Sequence, residues 1–340
     1  MLTLKDIARH VGVSASTVSL VLNDRDSGRV NPSVAATIRR TADDMGYVPN
    51  LLARGLKTRK SHTIGMLSDG VASIPFAGGM VRGAQDTAWT LGYLLMLIDS
   101  GGNHDLDSAA VKSLLQRDIE ALVFAAEFHR DVELPLVPTS VPVVVLDGRS
   151  ADRTDVDSVV PDEEQGGYDA VRHLLEAGHR RIAYCGVADE RYIAATLRRR
   201  GYERALADAG IALDASIVVA APGPDARDGF APATALLSRS DRPTAVFCFS
   251  DRLAFAFYQA AGRLGLRVPE DLSIVGFDNQ IAVADSVLPG LTSVALPHAE
   301  MGSWAMERAV LRIRGESSLP YEHRLMRCPL VLRESVGPPG

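Results

Sequence analysis

The chain has little from which to build a covalent or metal-bound framework. It carries three cysteines in 340 residues, and no two of them form a CxxC pair. Cys185, Cys248 and Cys328 each sit in an apolar run, which fits a reduced, cytoplasmic protein rather than a disulfide-stapled one. No apolar stretch approaches the ~20 residues that span a bilayer. The N-terminal "MLTLKDIARHVG" is charged throughout, so neither a signal peptide nor a membrane partner is expected. There is no GxxxxGK[ST], no GxGxxG after a strand-like run, no HExxH and no GxSxG. The histidines are scattered without metal-ligand spacing. Enzyme chemistry, a metal and a cofactor therefore have no foothold in the sequence, and no catalytic residue is assigned.

What the chain does have is apolar mass and an uneven charge. With 46% hydrophobic and 23% charged residues it can bury large cores. Its length suits roughly two to three domains. The net charge of −6 conceals a split. Residues 1–60 hold ten basic and five acidic side chains, a net of +5, and the remainder carries −11. A basic head on an acidic body suggests that only the head meets a polyanion.

The head reads as helices alone. Leu4, Ile7, Ala8 and Val11 follow i, i+3, i+4, i+7 spacing, and Gly12 ends that helix. Ser14 can cap the next one. After the polar loop "NDRDSGR", Val34, Ile38, Ala42 and Met45 mark a third helix closed by Gly46. Two short helices joined by a tight glycine turn, with a third as brace, make a helix-turn-helix pattern. On a wheel of about 100° per residue, Ser14, Val18, Val21 and Leu22 share one face of the second helix. Ser16 and Leu20 point the opposite way, with Thr17 and Ser19 on the flanks. That outer face carries neither Lys nor Arg.

"PNLLARGLKTRKS" follows, too short to be a stable helix alone and weakened by Gly55. It reads as a linker that becomes helical with a partner. From Thr63 onward, short β-prone runs such as "TIGMLS", "ALVFAA", "VPVVVLD", "RIAYCG", "TAVFCFS" and "LSIVGFD" alternate with helical stretches. Such alternation implies parallel sheets flanked by helices, long enough here for two lobes. Open α/β sheets bind ligands at the carboxyl ends of their strands, which places a ligand in the cleft between lobes.

"TLKDIARHVGVSASTVSLVLN" followed by "MGYVPNLLARGLKTRKSHTIGML" strongly resembles the LacI/GalR family of bacterial transcription regulators. "HLLEAGHRRIAYCG", "FCFSDRLAFAFYQAAGRLGLRVPEDLSIVGFDN", "LPGLTSVALPHAEMG" and the closing "LVLRES" extend the resemblance in the same order along nearly the whole chain. The resemblance implies a helix-turn-helix head (1–48), a hinge helix (49–61) and a two-lobed core similar to periplasmic sugar-binding proteins (62–340). In that core, lobe 1 would take about 62–160 and 290–320, and lobe 2 about 161–289 and 321–335. It implies a homodimer on a pseudo-palindromic double-stranded DNA operator, with a small molecule in the cleft controlling affinity. The ligand either releases the protein from DNA or tightens its hold.

Residue by residue, the family match puts Ala15, Ser16 and Leu20 at base edges in the major groove. Leu20 cannot make a bidentate contact to guanine, so either it touches a thymine methyl or it packs against the hinge or a loop. Thr3, Ser14, Thr17, Ser19, Asn23 and Asn31 are expected at the backbone, setting register. Leu56 matches a minor-groove leucine wedge, with Asn50, Ala53, Arg54 and Lys57 beside it. Where members commonly carry Thr-Arg at the start of the third helix, this chain has Val34-Ala35, and Asn31 or Arg29 is left to replace that contact.

For the cleft, the match carries over Phe76, Asp147, Arg198, Ser250 and Asp278. An arginine, two aspartates and an aromatic face suit a polyhydroxylated ligand, a sugar or sugar derivative. Ser250-Asp251 stands where the family has Asn-Asp. Pro224 stands near the place of a stacking aromatic. Tyr192 and Ala194 replace the Arg and Thr of the purine-binding branch, which argues against a purine. No leucine heptad follows the core, so a dimer is the expected assembly. An exported solute-binding protein and an α/β enzyme are the competing readings of the same core. The basic helical head in place of a signal peptide argues against the first. Turnover of a cleft ligand would be the mark of the second.

Overall fold

The computed structural model describes residues 2–47, 60–73, 77–189, 191–315 and 319–340. The expected sites Asn50, Ala53, Arg54, Leu56, Lys57 and Phe76 lie outside these residues. The chain divides into two compact units, Met1–Ser61 and His62–Gly340. Among the described residues no helix is long and apolar enough to cross a membrane.

The first unit contains α1 (Leu4–Val11), α2 (Ala15–Val21) and α3 (Pro32–Asp44). Gly12 closes α1 with φ 78°, a left-handed turn that its missing Cβ makes cheap. That turn swings the chain into α2 within three residues. Ile7, Ala8, Val18, Val21, Ala35, Ile38 and Ala42 form the shared core. The wheel's inner face is correct for Val18 and Val21. Ser14 differs: it precedes the helix as its cap and is exposed.

The second unit holds two six-stranded sheets. The first contains β1 (Thr63–Ser68), β2 (Leu94–Asp99), β3 (Ala121–Val132), β4 (Val143–Ser150), β5 (Asp157–Pro161) and a late strand, β11 (His323–Met326). Its order is β11-β5-β4-β3-β1-β2, parallel throughout. The second contains β6 (Ile182–Val187), β7 (Val218–Ala221), β8 (Ala245–Cys248), β9 (Ser273–Asp278), β10 (Thr292–Ala295) and β12 (Leu330–Val331). Its order is β12-β10-β9-β8-β6-β7, with only β12 antiparallel. Both faces of each sheet are covered, which is why the strands read as unbroken apolar runs. In the first sheet Met66, Val123 and Val144 face α4 (Gly78–Thr90) and α11 (His298–Ile313), while Leu67, Leu122 and Val145 face α5 (His104–Leu115). In the second, Val246 and Ile274 face α8 (Ala226–Leu237), α9 (Asp251–Leu264) and the short α10 (Ile281–Ala284). Phe247 and Val275 face α6 (Glu163–Glu176) and α7 (Ile193–Asp208).

The lobe boundaries need one correction. β10 lies in the second sheet, where Thr292 pairs with Val275, although residues 290–320 were expected in lobe 1. β11 lies in the first, where His323 pairs with Ser158, although 321–335 were expected in lobe 2. A four-residue strand carries no sign of which sheet it joins. Long-range contacts decide it: fully buried Asp157 accepts from Arg308 and Arg312 of α11 and from the Glu322 backbone N–H at 2.9 Å, which seats β11 in lobe 1. The chain therefore passes between lobes after β5, after β10 and after β11.

Candidate functional site

In the head, α2 begins at a cluster of hydroxyls. The Thr17 backbone N–H donates to Ser14 Oγ at 3.1 Å. Ser14 Oγ also lies 2.7 Å from Ser16 Oγ and 2.8 Å from Thr17 Oγ1. Ser16 is exposed, and Ala15, Thr17, Ser19 and Leu20 are half-buried. Thr3 is held at the start of α1 by Asp6, whose Oδ2 accepts from its hydroxyl at 2.6 Å and from its backbone N–H at 2.9 Å. Those bonds to Thr3 hold the Asp6 carboxyl below its usual pKa. Asn23 Nδ2 donates to the Ser19 carbonyl at 2.6 Å. Asn31 Oδ1 caps α3, accepting from the Ser33 N–H at 2.9 Å and its hydroxyl at 2.8 Å. Ala35 points into the core, so the second of the two departing positions has no outward side chain.

The basic residues are not equivalent. Arg39 donates to Asp26 at 2.9 Å and to Asp24 at 3.3 Å, bracing α3 against the loop after α2. Lys5, Arg25, Arg29 and Arg40 are exposed. The uncharged face of α2 is thus part of a unit whose positive charge sits on other segments.

In the core, the strand order reverses between β1 and β3 and between β6 and β8, the switch points where open α/β sheets present ligand sites. Arg198, on α7, is 3% exposed. Its Nε donates to Glu163 Oε2 at 2.7 Å. Its Nη1 donates to the Phe249 carbonyl and, at 3.1 Å, to Asp278 Oδ1. The guanidinium lies 3.6 Å from the Phe277 ring centroid and 4.6 Å from that of Phe249. Burial alone would lower its pKa, but the carboxylates of Glu163 and Asp278 carry it above the ordinary value. Local sequence makes this possible. A Cβ on Gly167 would stand 2.5 Å from the Arg198 carbonyl, and one on Gly201 would overlap that of Glu164. The two glycines let α6 and α7 approach until Arg198 reaches Glu163.

Asp278 ends β9 with φ 97°, and its Oδ2 accepts from Gln280 Nε2 at 3.0 Å. Burial raises its pKa, and the Arg198 charge opposes that. Asp147, near the end of β4 in the other lobe, has φ 59° and is 3% exposed. Non-glycine residues in such left-handed backbone cost of order 1–3 kcal/mol and cluster at functional sites. Burial, then the charge of Glu163, pushes Asp147 well above the usual carboxylate range. Ser250 caps α9, accepting from the Leu253 N–H at 3.2 Å and donating to the Pro224 carbonyl at 3.3 Å. Its neighbour Asp251 is engaged by the Ser293 hydroxyl at 2.5 Å and the Gln280 N–H at 2.6 Å. Asp251 is thus structural, at the root of the site.

The structure brings Arg198 and Asp278 into direct contact, sets Ser250 beside the Phe249 carbonyl, and places Asp147 within their electrostatic reach. It also adds residues that sequence reasoning missed. Glu163 is one; its only trace is the acidic first turn "DEEQ", which reads as ordinary helix capping. His129 is another, from a stretch of β3 where the pairing with β4 shifts register between Ala125 and Arg130. Phe128 of lobe 1 meets Tyr192 of lobe 2 with ring centroids 4.7 Å apart, and Tyr192 lies 5.8 Å from Phe249.

Comparison with known proteins agrees with this architecture. A family model described as "Bacterial regulatory proteins, lacI family" matches residues 3–50, and one described as "Periplasmic binding protein-like domain" matches residues 171–336. The ribose operon repressor of Haemophilus influenzae is 34% identical over 339 residues, 99% of each chain. The transcriptional repressor PurR of Photobacterium profundum is 31% identical over 343 residues, again 99% of each. The solved complex of the transcriptional regulator CelR with cellobiose superposes with a TM-score of 0.68 at 30% identity, covering 98% of this chain and 100% of that one. Built as a helix-turn-helix unit followed by a two-lobed α/β core, and matched end to end by such relatives, the chain belongs to the lacI family of bacterial regulatory proteins.

Proposed function

We propose that this chain is a sequence-specific DNA-binding repressor, a cytoplasmic homodimer whose grip on a pseudo-palindromic operator is set by a small molecule bound between its lobes. The observation that carries the reading is that one chain holds both a capped, outward-facing α2 and a buried Arg198–Asp278 pair facing Asp147 of the opposite lobe. Residues 1–48 form the DNA-binding head and 49–61 the hinge. Within the head, Ala15, Ser16 and Leu20 read base edges, while Thr3, Ser14, Thr17, Ser19, Asn23 and Asn31 set register on phosphates. Asn50, Ala53, Arg54, Leu56 and Lys57 engage the minor groove. In the core, Asp147, Arg198, Ser250 and Asp278, with Phe76, hold the ligand without turning it over. Fixed donors and acceptors around a buried guanidinium favour a sugar or sugar derivative. The names of the ribose operon repressor and the cellobiose-bound regulator support that class. Exposed apolar side chains on both lobes, Trp89 and Leu94 on one and Ile281 and Leu288 on the other, support self-association.

The mechanism is a coupling between two sites: the ligand acts only through its different affinity for the DNA-bound and DNA-free forms. The test is selection of binding sites from randomised duplexes by the purified full chain. A pseudo-palindrome is expected, with affinity that changes when a cleft ligand is added. Enrichment of no sequence at any salt concentration would sink the reading.

A further inference from the structure

We propose that the cleft ligand carries a basic nitrogen, as an amino sugar or related aminopolyol does, and that its ammonium seats against Asp147 and His129. The inference rests on the reading of the cleft as the effector site. It starts from two unsatisfied polar atoms. Asp147 Oδ1 and His129 Nδ1 are buried and have no hydrogen-bond partner among the described residues. Their residues are 3% and 6% exposed. Ala125 pairs with Leu146 and Arg130 with Gly148, so Asp147 lies opposite the irregular stretch of β3 that contains His129. Native proteins rarely leave such buried atoms unpaired without a ligand role.

Charge then selects the kind of ligand. Three carboxylates, Asp147, Glu163 and Asp278, lie around one buried guanidinium, and the charges of Glu163 and Asp278 both act on Asp147. Arg198 has its Nε on Glu163 and its Nη1 on Asp278 and the Phe249 carbonyl. Other nearby cations have carboxylates of their own: Arg130 pairs with Asp69 and Arg252 with Asp225. His298, at the start of α11, also faces Asp278. Among the described residues Asp147 thus has no ion pair of its own, while Glu163 and Asp278 hold the guanidinium. A buried carboxylate without a counter-charge is costly and takes up a proton or finds a cation. A neutral hydroxyl can bond to it but cannot offset its charge. A phosphate or carboxylate on the ligand would add a further like charge.

Hydrogen-bond chemistry agrees. An ammonium has three donors and no acceptor. Asp147 Oδ1 accepts one. His129 Nδ1 accepts another when the ring proton is on Nε2. Burial, then the positive field of Arg149 and Arg198, opposed by Asp131, pulls the His129 pKa down to about 4, so the ring is neutral and available as an acceptor near pH 7.

The experiment uses the full chain and matched trios of glucose, glucosamine and glucose 6-phosphate, with the galactose and mannose trios, titrated by calorimetry. In at least one series the amine is expected to bind ten-fold or more tightly than its neutral counterpart, with the phosphate weakest. Asp147→Asn should cut that preference to under three-fold. Should Asp147→Asn not fold, the wild-type ratios alone decide. A neutral sugar or sugar phosphate that binds as tightly as the matching amine, and shifts operator affinity, overturns the inference while leaving the effector cleft standing. If no member of any trio binds, the amine inference falls. If, in addition, a broad ligand library leaves operator affinity unchanged, the cleft reading falls with it.

Discussion

Replacing Arg198 by methionine tests whether the cleft is held together by charge. Methionine keeps apolar bulk against Phe277 and Phe249, so the packing loss is small compared with the electrostatic one. What the change strands is Glu163, 2% exposed, and Asp278 beside it, both of which had a charged donor within 3.1 Å. Removing one partner of a buried pair costs about 3–5 kcal/mol because the other is left buried and uncompensated. For a unit of this size, with each kcal/mol shifting Tm by roughly 2–4 °C, the core should melt on the order of 10 °C lower. Circular dichroism is the right probe. Trp89 and Trp304 both lie on lobe 1 helices, so their fluorescence would underreport a lesion in lobe 2. The discriminating step is a second substitution, Glu163→Gln, made in the Arg198→Met background. Neutralising the stranded carboxylate should recover about 1–3 kcal/mol, although Glu163→Gln alone is destabilising. A single variant within about 1 kcal/mol of wild type, or a double variant no better than the single, would refute the charge-based account of the cleft.

Three further expectations follow from named atoms. His129 has its pKa lowered from the usual range to about 4, chiefly by burial, so between about pH 6.5 and 4 the unfolded chain takes up a proton that the folded chain refuses. Stability should therefore fall as pH drops through that window, by up to about 3 kcal/mol, and His129→Leu should flatten the slope measured by urea unfolding. Ser14→Ala removes the acceptor for the Thr17 N–H, a capping loss of about 1 kcal/mol, so amides of α2 should exchange roughly five-fold faster while those of α1 change less. Leu20→Ala should weaken binding to the selected operator by about 1–3 kcal/mol and relax one base position per half-site; an equal loss on every sequence would show that Leu20 packs rather than reads.

What could be read from the sequence was what neighbouring residues decide. Gly12 and Ser14 announce the turn and cap because αL backbone and N-cap chemistry are local requirements. The strands of the core were legible because a sheet buried on both faces needs unbroken apolar runs. Lobe membership of β10 and β11 was not, since four residues do not encode which edge they join. Arg198, Asp147 and Asp278 were named only through family resemblance; nothing in their local sequence tells a buried guanidinium from a solvated one. Glu163 left only an acidic first turn that reads as ordinary capping, and His129 left no signal, because what they face comes from other segments of the chain: Arg198 is 35 residues from Glu163.

The same distinction explains how a helix without positive charge can serve a DNA-binding unit. Affinity for a polyanion is additive over phosphate contacts and can come from any basic residue within reach. Discrimination instead needs groups placed at particular base edges. In the head, Arg39 is engaged internally by Asp24 and Asp26, while Lys5, Arg25, Arg29 and Arg40 are exposed. Ser14, Ser16 and Thr17 form a hydroxyl cluster at the start of α2. On the proposed reading, charge on the surrounding segments supplies affinity and short polar groups on α2 supply specificity. A guanidinium on the outer face of α2 would blur that division, adding a bidentate contact wherever a guanine faced it and a charge that strengthens binding to every other sequence.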